Sequence, residues 1–253
     1  MKHAYLILIA ITFCMTACNE WLDVRPDTEQ KEEDQFATAQ GFYDALTGCY
    51  MSMASQDIYG ERLTMTNIES LANLWNIQEN STRYEDVDLA AHDYTTDYAR
   101  SAIQTIYAKL FNVIAQANLI IKYAEERPGV FPDEATAKVI QGEAFALRAY
   151  CQFDVLRLFG QMPQNASQQV ELPYSETTSI YEMPPYYNFD SYVEKLKYDI
   201  EQAENLLQDN DPLFEYTFAE LEGGGVSNEF LMYRQSRLNY WAVKALKARM
   251  HLY

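Results

Sequence analysis

Between Gly142 and Gly160 the chain reads GEAFALRAYCQFDVLRLFG. There is no Pro, Gly stands only at the two ends, and Ala, Leu and Phe dominate, so the stretch is predicted to be helical. On a helical wheel Glu143, Tyr150, Asp154 and Arg157 share one narrow sector. Ala144, Phe145, Leu147, Ala149, Cys151, Phe153, Val155, Leu156, Leu158 and Phe159 cover nearly all the rest. A helix apolar on most of its circumference has to be wrapped by other helices. Arg148 falls inside the apolar arc, far from the polar sector. A guanidinium is not buried unpaired, so Arg148 requires a carboxylate or backbone carbonyls from elsewhere in the chain. This set reads as a core helix with structural ion pairing.

The other segments supply the wrapping. Thr38 is placed to cap a helix from Ala39 to about Ser55, with Phe42, Ala45, Leu46, Cys49, Tyr50 and Met53 on one face. A second helix is expected over Met65–Gln78, followed by an irregular polar excursion from Glu79 to Thr96. Asp97 to Arg127 reads as a long helix striped by Ile103, Ile106, Tyr107, Leu110, Phe111, Ile114, Ala117, Asn118 and Ile121, and Pro128-Gly129 ends it. Asp133 can cap the next helix, which runs on to Phe159. Gln161–Asn188 holds four prolines and four tyrosines and cannot be a regular helix. Asp190–Gln208 is helical again, Asp209–Ser227 is expected to be a loop, and Asn239–Tyr253 is the last helix.

Met1 to Ala17 has the form of an export signal: Lys2 and His3, then an apolar run from Ala4 to Phe13 too short to span a bilayer as a helix. Small residues precede Cys18, as at a bacterial lipoprotein cleavage site, which makes Cys18 the expected lipidated residue. Residues 18–35 read as a polar tether. Cys49 and Cys151 lie among apolar helical residues and are expected to be buried thiols, not a disulfide framework.

Composition narrows the partners. A formal net charge of -18 argues against nucleic acid and anionic lipid surfaces, which such a chain would repel. No G-x-S-x-G elbow, P-loop or dinucleotide fingerprint is present, and His92 and His251 stand far apart. No cofactor is implied. Asp86/Asp88 and Asp209/Asp211 lack a full calcium ladder, so no metal is expected. Aromatic and amide side chains on loops remain as ligand candidates, because sugars stack on rings while amides read their hydroxyls. They are Trp75, Asn76, Asn80 and Tyr84 in one region, and Tyr181, Tyr186 and Tyr187 in the proline-rich segment.

The stretch GEAFALRAYCQFDVLRLFGQMP resembles the signature helix of the SusD/RagB family of nutrient-uptake lipoproteins. CNEWLDVRPDTEQ, FATAQGFYDALTGCYMSM and RLNYWAVKALKARMHLY match in the expected order, so the resemblance runs from Cys18 to Tyr253. It implies an all-α fold of tetratricopeptide-like hairpins in a superhelical arrangement with long irregular loops. The organisation it implies is a signal peptide at 1–17, a lipidated tether at 18–35 and a helical-repeat domain at 36–253, with the C-terminal half of the family's length expected to be missing. It implies a non-enzymatic outer-membrane protein, lipid-anchored and facing the exterior. Such a protein binds a nutrient, most often an oligosaccharide, and passes it to a SusC-type TonB-dependent transporter. It would touch membrane only through its lipid anchor. A helical scaffold without ligand, a surface glycosidase and a truncated relic stay open as alternatives. No motif carries a ligand contact over residue by residue.

Overall fold

A computed structural model describes residues 32–78, 80–164, 169–179 and 181–253. The export signal and Cys18 lie outside these residues. Glu32–Gln35 forms a short acidic helix, α1, which belongs to a unit of its own. Phe36 to Tyr253 forms the second compact unit.

Four long helices make its frame. The helix α2 (Ala39–Met53) starts where the Thr38 hydroxyl accepts from Gly41 N. Two short helices follow, α3 (Asn67–Leu71) and α4 (Tyr84–Ala90). The long helix α5 (Asp97–Glu126) is capped by Thr96, and α6 (Glu134–Phe159) by Asp133, whose carboxylate accepts from Thr136 N. They form a hairpin, with α2 packed on both. The buried face of α5 is wider than its single stripe predicts, taking in Val113, Ile120 and Ala124 as well. That breadth follows from α2 and α6 both lying against α5.

The proline-rich segment supplies one antiparallel ladder, β1 (Leu172–Pro173) with β2 (Tyr186–Tyr187), pairing Leu172 with Tyr187 and Pro173 with Tyr186. The helix α7 (Phe189–Gln208), capped by Asn188, then packs along α6. Gly142 lies in the middle of α6, and a Cβ there would stand 2.8 Å from Leu207 Cγ. The short helix α8 (Phe218–Gly223) and α9 (Tyr240–Leu252) complete the unit, α9 lying mainly on α7.

Three sequence expectations need correction. The expected helix over Met65–Gln78 is only the five residues of α3, because Asn73 turns to φ 53 and ends it. Asn tolerates this left-handed conformation and commonly ends helices there. The expected irregular excursion from Glu79 to Thr96 contains α4, ended in the same way by His92 at φ 53. The expected loop at Asp209–Ser227 contains α8, which opens with a Thr217–Glu220 capping box and closes at Gly224, φ 86.

α6 is buried over most of its length, with Glu143 and Asp154 of its polar sector buried too, Tyr150 half-buried and Arg157 exposed. Arg148 is held by Asp199 of α7, Nε to Oδ2 at 2.7 Å and Nη2 to Oδ1 at 2.6 Å, and donates to Asn118 Oδ1 of α5 at 2.9 Å. Burial opposes its charge, but Asp199 more than offsets this and holds its pKa above the ordinary arginine value. The amide of Asn118 donates onward to the carbonyls of Ser175 (3.1 Å) and Thr177 (2.9 Å), fastening the proline-rich segment to the hairpin. Glu143 pairs with Arg234 and accepts from the Tyr50 hydroxyl of α2. Arg234, 0% exposed, also grips Asp211 through two hydrogen bonds of 3.0 and 2.9 Å. Asp154 accepts from Tyr59 (3.0 Å), Arg157 (2.8 Å) and Arg249 (3.4 Å). Cys49 and Cys151 are buried free thiols.

Candidate functional site

The early end of α3 determines the surface around it. Because Asn73 stops the helix, residues 74–78 and 80–83 lie as loop beside α3 and α4 instead of continuing along the core. Trp75 stands on this loop. Its indole N–H donates to Met65 O at 2.9 Å, which fixes one edge of the ring, while the side chain stays 57% exposed. Beside it opens a cleft of about 710 Å³ lined by Met65, Trp75, Asn76, Gln78, Asn80 and Arg83, with Thr66, Ser70 and Asp86 also in its wall. The size falls within the range of small-ligand sites.

The wall is held by a buried carboxylate. Asp86 of α4 accepts from Asn67 Nδ2 (3.0 Å) and Ser70 Oγ (3.2 Å) of α3 and from Arg83 Nε (2.6 Å). Arg83 reaches Glu61 as well, at 3.2 Å. Slight burial works against the guanidinium's charge, but Asp86 and Glu61 raise its pKa above the usual arginine value. The side-chain amides of Asn76, Gln78 and Asn80 make no hydrogen bond among the described residues. The Thr66 hydroxyl and the Asn67 amide oxygen are buried without a partner there. The cleft thus combines one fixed ring with several neutral donors and acceptors that no described side chain engages.

Of the sequence candidates, Trp75, Asn76 and Asn80 meet at this cleft. Tyr84 does not line it and stacks on Tyr98, ring centres 5.0 Å apart and 28° between planes. Tyr181 is 91% exposed, Tyr186 is exposed at the ladder, and Tyr187 is half-buried against the core with Lys195 over its ring at 5.8 Å. None of these three tyrosines lines the cleft. Sequence reading missed Thr66, Gln78, Arg83 and the wall residue Asp86. The alternation of Asn67, Ser70 and Asp86 with apolar neighbours offered no period to single them out.

Among the described residues no group of three or more His, Cys, Asp or Glu side chains is placed to hold a metal ion. Asp86 is committed to Arg83, Asp88 accepts from the Thr96 hydroxyl at 2.6 Å, and Asp211 is committed to Arg234. Among the same residues no helix is long and apolar enough to cross a membrane.

A SusD-like family model, described as "Starch-binding associating with outer membrane", matches residues 20–217. The chain belongs to the SusD-like family. It is similar to "SusD-like protein P2" of Formosa agariphila, 24% identical over 165 residues, which cover 64% of this chain and 31% of that protein. Among solved structures it is similar to a putative sugar binding protein from Bacteroides vulgatus (TM-score 0.61, 18% identity). It is also similar to a SusD superfamily protein from Bacteroides thetaiotaomicron (TM-score 0.58, 20% identity). Each likeness covers 85% of this chain and 42% of the other. The SusD-like chain therefore spans less than half the length of these relatives, and shares with them a mostly helical fold of tetratricopeptide type. The family is one of binding proteins associated with the outer membrane.

Proposed function

We propose that this chain works as a cell-surface lipoprotein that captures an oligosaccharide and delivers it to a SusC-type TonB-dependent transporter of the outer membrane. The observation that carries the reading is the Trp75 ring, fixed at its N–H edge and open at its face, beside the free amides of Asn76, Gln78 and Asn80. A sugar offers an apolar face to such a ring and hydroxyls to such amides. The action is binding and release, with no covalent step. The family's starch-binding description and the putative sugar-binding relative support it. Residues 1–17 act as the export signal, Cys18 carries the lipid, residues 18–35 form the tether, and 36–253 form the helical-repeat domain. Attachment at Cys18 would hold the protein to the outer membrane facing the exterior, with several acyl chains giving durable anchoring. The mass of the exported protein's N-terminal peptide, lipidated or bare, decides that part.

Calorimetry of the full chain against a panel of oligosaccharides tests the binding reading. At least one should bind, and Trp75→Ala should weaken it roughly tenfold or more, as expected for losing a central aromatic anchor. Binding that survives Trp75→Ala unchanged would place the site elsewhere.

A further inference from the structure

We infer that the Trp75 cleft selects uncharged glycans and rejects acidic ones, with Asp86 and Glu61 setting that selectivity through Arg83. The inference rests on the proposed glycan-binding role of this cleft. An arginine in a sugar site ordinarily points to a carboxylate or sulfate on the ligand, because the guanidinium fork matches planar anions. Here the Nε and Nη2 positions are already engaged. Arg83 places Nε on Asp86 at 2.6 Å and Nη2 on Glu61 at 3.2 Å. Two carboxylates face one guanidinium, so the cluster carries net negative charge at the cleft wall. Arg62 and Glu85, the neighbouring pair at 3.6 Å, cancel one another and leave this balance unchanged.

Asp86 is poorly placed to release Arg83. It is 6% exposed and receives two further hydrogen bonds from Asn67 and Ser70. Drawing Arg83 toward a ligand anion would leave a buried carboxylate without its counter-charge, which is costly. Among the described residues the remaining polar wall is neutral: the amides of Asn76, Gln78 and Asn80 and the hydroxyls of Thr66, Ser70 and Ser81. These groups hydrogen-bond hydroxyls without favouring an anion. The chain's net charge of -18 adds a repulsive field for any acidic polymer approaching it.

The test compares a neutral hexose oligomer with the hexuronic acid oligomer of the same length and linkage, titrated into the full chain. The neutral oligomer should bind, with an affinity that salt barely changes. The acidic one should bind about tenfold more weakly or worse, as like charges at an interface exact. Glu61→Gln and Asp86→Asn should each narrow the gap by strengthening the acidic oligomer. Glu61 is at the surface, so its variant keeps the test open if Asp86→Asn fails to fold. Equal or tighter binding of the acidic oligomer by the wild-type chain would overturn the selectivity while leaving the glycan site standing. So would a gap unmoved by Glu61→Gln. Failure of both oligomers and of the wider panel would sink the glycan site and the selectivity with it.

Discussion

Arg148 shows what one misplaced charge dictates. Set on the apolar arc of α6, it obliges the fold to bring Asp199 and Asn118 to it, and through Asn118 the carbonyls of Ser175 and Thr177. Removing the guanidinium leaves Asp199 fully buried and charged. Arg148→Ala should therefore cost about 3–5 kcal/mol of stability, against about 1 kcal/mol or less for Arg157→Ala, whose partly exposed guanidinium pairs with Asp154 at 2.8 Å. Denaturant midpoints of the two variants check this, and similar shifts would mean that Arg148 is no more buried than Arg157. The need for a partner was legible in the sequence, but which group met it was not, although the pattern around Asp199 is consistent with a buried place. Asp199 lies three residues after Leu196 and four before Ala203, on the buried face of α7. Arg234 was not legible. It sits in a short 3-10 turn (Arg234–Ser236) with no period around it, and only the folded chain brings Glu143 and Asp211 to it.

At the scale of elements, the long helices were readable because each carries its own start signal. Thr38, Thr96, Asp133 and Asn188 all accept hydrogen bonds from the first turns they precede. The short helices escaped for two reasons. α3 and α4 bury too few residues to show a face, and Asn73 and His92 end them in a conformation a composition window does not see. The Thr217–Glu220 box that opens α8 was visible and went unread. The candidate cleft was half legible: Trp75, Asn76 and Asn80 are neighbours in sequence, so any loop there keeps them together. Tyr186 and Tyr187 are placed instead by their ladder with Leu172–Pro173, a distant pairing that local reading does not reach. The α6–α7 contact gives this scale its prediction. In a free helix Gly→Ala stabilises by about 1 kcal/mol. At Gly142 the added methyl would meet Leu207 Cγ at 2.8 Å, so overpacking should dominate and Gly142→Ala should destabilise, by about 1–3 kcal/mol before that gain is subtracted. A variant more stable than wild type would show that α7 can step aside.

Over the whole molecule, buried hydroxyls and thiols set the response to alkali. Burial pushes the Cys49 thiol up to about 12, and Cys151 is raised by the same cause. Burial likewise lifts Tyr50, Tyr59, Tyr174 and Tyr192 well above their ordinary value, with Glu143, Asp154 and Asp199 adding to the effect at the first three. All of these groups are neutral when protonated. Below about pH 9 they hold their protons in both states and contribute no pH dependence. Between about pH 9 and 12 the unfolded chain loses protons that the folded chain keeps, so stability falls as pH rises. Unfolding midpoints measured across that window should decline, and tyrosinate absorbance of the folded protein should lag behind that of the denatured chain. A flat profile would contradict the burial of these groups.

The Glu143–Arg234 pair also imposes an order in time. The two residues are 91 positions apart, whereas Arg148 and Asp199 are 51 apart. A chain that crosses the membrane N-terminus first presents Glu143 before Arg234. The α5–α6 hairpin, built from nearby contacts, is among the fastest parts to form. During the wait Glu143 has to keep its water, so its flank of α6 cannot close. Arg148's side closes first, when α7 arrives, and the Glu143 side shuts only after Arg234 brings its charge. A stall between residues 199 and 234 would catch the molecule with one flank of α6 sealed and the other still wet.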